Sequence, residues 1–130
     1  MCRFLVWLKK GKGQVVLFGL SPLFRASTQA AFKFKRKLLG DLCRCALRSL
    51  TRYFEVVTGS ALMPGVIAAI QTFGDRIIFH PHLHFLVTEG GMDEAGIFRE
   101  IPRIDGSRLA EIFAGEVLSF LVGRELLSPE

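Results

Sequence analysis

The chain has 130 residues, half of them hydrophobic and twelve of them Phe, enough for one small packed core and too apolar for disorder. No apolar run approaches the ~18 residues that span a bilayer, and residues 4–8 are followed, not preceded, by basic residues, unlike a secretory leader. A cytoplasmic protein with no membrane partner is therefore expected. The net charge of +5 is unevenly divided: residues 1–60 hold twelve Lys/Arg against Asp41 and Glu55, whereas residues 61–130 hold five Arg against ten acids. A basic half suits a polyanion, because each Lys or Arg on a phosphate releases counterions. It also suits an acidic partner or a merely solvated surface. Nothing in the pattern points to a small-molecule substrate.

In chain order, residues 1–13 end in Lys9-Lys10-Gly11-Lys12-Gly13 and read as a loose basic arm. Residues 14–20 (Gln-Val-Val-Leu-Phe-Gly-Leu) read as a short buried strand, stopped by Ser21-Pro22. From about residue 28 to 57 the period becomes helical, with Leu39, Leu42, Ala46, Leu50, Tyr53, Phe54 and Val57 at steps of three and four. Gly40-Asp41 is a point at which this region could divide into two helices. Arg44, Arg48 and Arg52 recur every four residues on a different face, preceded by Lys33, Lys35, Arg36 and Lys37. Such a row can track a phosphate backbone or form an ordinary solvent face. Lys33, Lys35, Lys37, Arg44, Arg48 and Arg52 are the nucleic-acid candidates. Gly59 suits a left-handed helix cap.

Pro64-Gly65 then turns the chain into a second strand, residues 66–73, and Gly74-Asp75 leads back into a third, residues 77–87. The third strand carries all three histidines, His80, His82 and His84. Side chains at i and i+2 of a strand share a face, at about 6.6 Å between Cα atoms, so His82 and His84 project side by side. Two imidazoles make two-thirds of a divalent metal site; the alternative is three surface histidines on an amphipathic strand. Pro81 lacks an N–H, which suits an edge, a bulge or a strand beginning. Gln71 stands opposite His82 if the connection is long, and its amide oxygen then offers a third ligand. A tight turn moves it away, and Asp75 competes as the harder donor.

Beyond Thr88-Glu89-Gly90-Gly91 come a polar loop, a short strand near residues 97–101, and a helix capped by Asp105 or Ser107. That helix has an apolar stripe of Leu109, Ile112, Phe113, Val117, Phe120 and Leu121. Ser128-Pro129-Glu130 has the form of a helix start, so the chain reads as truncated. Cys2, Cys43 and Cys45 lack zinc-site spacing and read as reduced thiols.

Three segments together resemble one family: Pro64-Gly65 through Ile70-Gln71-Thr72-Phe73-Gly74-Asp75, His80-Pro81-His82-Leu83-His84, and Val87-Thr88-Glu89-Gly90-Gly91. The chain is similar, over about residues 14–130, to the rolling-circle insertion-sequence transposases, the two-tyrosine group of the HUH superfamily. Their His-hydrophobic-His signature is matched by His82-Leu83-His84. The resemblance implies an α+β fold, an HUH-endonuclease-like central antiparallel sheet flanked by helices, incomplete at the C-terminus. It implies a partial nuclease domain over 14–130 behind the arm of residues 1–13. His82 and His84 would hold a divalent ion, Mg or Mn, with Gln71 as third ligand, and the ion would polarise the scissile phosphate of single-stranded DNA. In that family a tyrosine on a later helix attacks the phosphate and becomes joined to the 5′ end.

Two features depart from the pattern. The single tyrosine, Tyr53, lies on the apolar face of the early helix and does not match the family's tyrosine motif, so no catalytic residue is assigned. The cysteine-rich segment expected before the first strand is replaced by residues 1–13. The implied function is DNA nicking and strand transfer in rolling-circle transposition, by a chain that is an inactive fragment alone. The alternatives are a non-catalytic DNA- or metal-binding remnant and a cupin-like metalloprotein using His82, His84 and Glu89. The long helical region argues against the last.

Overall fold

The computed structural model describes residues 4–9, 14–20, 37–73 and 79–124. In chain order these form β1 (Phe4–Lys9), β2 (Gln14–Leu20), α1 (Lys37–Thr58), β3 (Met63–Phe73), β4 (Phe79–Met92), β5 (Phe98–Glu100) and α2 (Gly106–Gly123). The result is the expected α+β arrangement. The strands make one antiparallel sheet in the order β1-β2-β4-β3, with β5 added on the far end of β4. The histidine strand is therefore central, held by β2 on one side and β3 on the other.

Alternation along β4 decides which face is covered. Leu83, Phe85 and Val87 are buried, while His84 is half-buried and Leu86 and Thr88 are exposed. The register sets Val16 against Phe85 and Phe18 against Leu83, so these buried residues share one face of the pleat. Both helices supply the other half of the core, through Leu42, Ala46, Leu50 and Phe54 of α1 and Leu109, Phe113, Val117 and Leu121 of α2. At its centre the Phe18 ring lies 5.2 Å from Phe85, edge-on, and 4.7 Å from Phe113. Each fully buried Phe or Leu here contributes about 1.5–3 kcal/mol by leaving water.

The segment read as a basic arm contains β1, which pairs with β2 from Phe4↔Leu20 to Lys9↔Val15. Its Phe-Leu-Val-Trp-Leu run has the β-branched and aromatic content of a strand, and the Lys- and Gly-rich stretch merely separates it from β2. Likewise α1 does not divide at Gly40-Asp41. Asp41 is buried and accepts a hydrogen bond from Arg44 Nη1 at 2.8 Å, within the helix. Its Oδ2 accepts no hydrogen bond and is met at 3.8 Å by the Arg124 guanidinium from the end of α2. The acid thus clasps the two helices together. Gly59, at φ 74°, caps α1 as expected, and its N–H reaches Glu55 O at 2.8 Å. Asp105 caps α2, its carboxylate accepting from the N–H of Ser107 at 3.0 Å and of Arg108 at 3.4 Å.

The Thr88–Gly91 segment, beyond the expected end of the third strand at residue 87, continues β4 and is where three strands meet. Between Pro64↔Gly91 and Val66↔Val87 the β3–β4 register shifts. Thr88 fills the irregularity: its Oγ1 accepts from Gly65 N at 2.9 Å and donates to Gly90 O at 2.7 Å. Gly90 and Gly91 then pair with Glu100 and Arg99 of β5. Asp93 closes that hairpin, accepting from Ala95 N and Ile97 N at 2.9 Å and from Arg99 Nε at 2.7 Å. The bond from Arg99, helped by the Ile97 N–H, holds its carboxyl below the ordinary aspartate value. No helix among the described residues is long and apolar enough to cross a membrane.

Candidate functional site

The face of the sheet opposite the helices carries the histidine positions. Across it, His84 stands between Leu17 of β2 and Ala69 of β3. One step along the same side of the pleat, His82 stands between Gly19 and Gln71. The next β3–β4 pair is Phe73↔Phe79, so β4 carries one extra residue there, in the Phe79–His82 stretch that contains Pro81. A proline, having no N–H for the ladder, suits that bulge. The bulge accompanies the long connection, in which Gln71 stands across from His82. Asp75, the competing third ligand, lies outside the described residues.

Around His84 this face is open. Leu86 is 46% and Ile67 70% exposed, and Ala69 between them is exposed too. No group of three His, Cys, Asp or Glu side chains able to hold a metal gathers among the described residues. A complete set would draw on other oxygen donors or on side chains beyond those described. The thiols offer little competition. Burial pushes Cys43 and Cys45 above the ordinary thiol value, so both are protonated at neutral pH.

The arginine row lies on the helix layer, across the sheet from the histidines. Arg44, Arg48 and Arg52 are 68%, 59% and 67% exposed in their side chains. Each already faces a carboxylate. Arg44 pairs with Asp41 at 2.8 Å, and Glu116 of α2 lies 3.7 Å from both Arg48 Nε and Arg52 Nη1. Lys37 opens α1 and is exposed; Lys33 and Lys35 fall outside the described residues. Arg44, Arg48 and Arg52 and the histidine positions thus do not form one surface, and phosphates on the arginines would have to displace Asp41 and Glu116. No local pattern marks Glu116's part, because its partners lie on another helix.

Tyr53 belongs to neither surface. It is 3% exposed, and its hydroxyl accepts the N–H of Asp105 at 2.8 Å, tying α1 to the start of α2.

Residues 65–118 match a family model described as "Putative transposase". This stretch begins at Gly65, takes in Gln71, His82, His84, Gly90 and Gly91, and ends within α2. The chain is also similar to the transposase for insertion sequence element IS801 of Pseudomonas savastanoi pv. phaseolicola, 36% identical over 70 residues. That alignment covers 54% of this chain and 16% of the length of the relative. No solved structure matches the chain.

Proposed function

We propose that this chain, related through residues 65–118 to the insertion-sequence transposases, supplies the metal-holding part of a single-stranded-DNA nicking and strand-transfer enzyme of rolling-circle transposition. The observation that carries the reading is the backbone register, with Gln71 across from His82 and His84 two residues on, on the sheet face away from both helices. Two imidazoles and an amide oxygen are a donor set that Mn accepts and Mg tolerates. By donor type these residues suit such an ion, which when bound would polarise a phosphate oxygen of the DNA. His82, His84 and Gln71 would orient that phosphate over the sheet. Ala69, the small neighbour of His84 on β3, is exposed, which would suit approach by the backbone of a single strand. The attacking hydroxyl would come from outside these 130 residues.

Mn titration followed by calorimetry or by the Mn electron-spin signal tests the site. The parent chain should bind one Mn, and a His82→Ala/His84→Ala variant, still folded by circular dichroism, should bind it at least tenfold more weakly. Equal binding by the two proteins would remove the site.

DNA contact by the helix layer is a separate part of the proposal, supported by the exposed arginine row. Replacing Arg44, Arg48 and Arg52 together with Gln should lower the magnitude of the log–log salt slope for single-stranded DNA by about two, at ~0.7 per lost phosphate contact. An unchanged slope would mean that the three arginines serve Asp41 and Glu116 alone.

A further inference from the structure

Among the described residues β3 is the edge strand beside the histidine strand, and there it has few of the usual protections of an edge. Natural edges carry Lys, Pro, bulges or a covering element that prevent pairing with another chain. β3 has no charged residue from Met63 to Phe73, and its proline is confined to the second position. The register irregularities lie at its two ends, between Pro64 and Val66 and between Gln71 and Phe73. Between them Val66–Gln71 pairs regularly with β4 and leaves a straight outer edge. Among the described residues nothing pairs with that edge.

From Ile67 to Ile70 the strand is exposed on both faces. Ile67 is 70% exposed on the histidine side. On the helix side Ile70 is 44% exposed, although its neighbour across the pair, Leu83, is fully buried. Ala68 and Ala69 are exposed as well. The helix layer covers β3 at Pro64 and Val66 but not at Ala68 and Ile70, where apolar surface continues to the rim.

We infer that β3 is a self-association edge, pairing antiparallel with β3 of a second copy of this chain to make one continuous sheet. Residues that oppose each other in an antiparallel sheet share a face, so a two-fold axis through the sheet must set residues of equal parity opposite. A register centred on Ala68 sets Ala68 against Ala68, Ile67 against Ala69 and Val66 against Ile70, large residues against small or branched ones with no polar group inside. A register centred on Ala69 would put Gln71 against Ile67, so the Ala68 register is the one assigned. The absence of charge removes any repulsion between identical strands. Five facing residues a side bury less than the ~1,000 Å² of a permanent interface, so the pairing is reversible and concentration-dependent.

Sedimentation equilibrium of the chain over a hundredfold range of concentration provides the test. The mass should rise from 14.5 kDa toward twice that value. An Ile67→Lys/Ile70→Lys variant, charged at two exposed positions and folded by circular dichroism, should remain monomeric throughout. Under mild oxidation an Ala68→Cys variant with Cys2 and Cys43 changed to Ser should form an intermolecular disulfide, since a residue on the axis faces its own copy at about 4.5–5.5 Å between Cβ atoms. Ala69→Cys in the same background should not. A chain that stays monomeric at the highest concentration would overturn the inference. So would a dimer that survives the lysine pair, or polymers larger than a dimer.

Discussion

Among the glycines whose surroundings are described, Gly90→Ala should cost the chain the most stability. A Cβ at position 90 would overlap Arg99 O and lie 2.9 Å from both Arg99 C and Glu100 Cα. All three are backbone atoms of β5, so no side-chain rotation can relieve the overlap. The sheet must part from β5 instead, and β5 leads into Ile101 and Ile104, both buried, and then into the Asp105 cap of α2. Overpacking of a side chain costs about 1–3 kcal/mol, and a clash with backbone belongs at or beyond the top of that range. Against a total of roughly 5–15 kcal/mol for a domain, that is a large share. The urea midpoint measures it. Gly115→Ala serves as the comparison: nothing lies within 4 Å of a Cβ there, and the position is inside α2. Relieving a helical glycine should raise stability by about 0.5–1 kcal/mol. The same added methyl should therefore act with opposite signs at the two sites. A Gly90→Ala midpoint equal to that of the parent would mean that β5 does not lie against β4 there.

The same glycine shows why some of this fold was legible in the sequence and some was not. β2, the β3–β4 hairpin and the stripes of α1 and α2 repeat apolar residues at periods of two or 3.6, and periodicity is local information. Gly90 and Gly91 look like loop residues because glycine is poor in strands. Their use, the close approach of β5, depends on a strand that arrives later in the chain. β1 was hidden by its neighbours, since the lysines and glycines after Leu8 outweighed a five-residue strand signal. At the candidate site the pairing of His82 with His84 on one side of the pleat follows from strand parity alone. The partner of His82 across the sheet does not. It depends on whether the connection is tight or long, and the bulge around Pro81 goes with the long form. The arginine row was legible as a face, but its carboxylate partners were not, because Glu116 meets Arg48 and Arg52 only after two helices pack.

Tyr53→Phe should lower stability and leave covalent chemistry unchanged. Removing the hydroxyl leaves the Asp105 N–H without its acceptor at the point where α2 begins, a loss of about 0.5–1.5 kcal/mol for a part-buried hydrogen bond. The urea midpoint should fall accordingly. A nucleophile, by contrast, must come within about 3–3.5 Å of the phosphorus it attacks. Tyr53 is 3% exposed on α1, on the helix side of the sheet, and the histidine positions are on the other side. Reaching a phosphate held there would require the phenol to leave Asp105 and pass through Leu83 and Phe85, which are buried between. With single-stranded DNA and Mn present, the 130-residue chain should therefore form no denaturation-resistant protein–DNA band, and Tyr53→Phe should behave identically. Adding in trans a tyrosine-bearing segment from an insertion-sequence transposase would be the way to obtain one, with the covalent bond on the added segment. A band formed by the chain alone and abolished by Tyr53→Phe would mean that α1 opens away from the sheet, and that the helix layer, not the open face, holds the reacting strand.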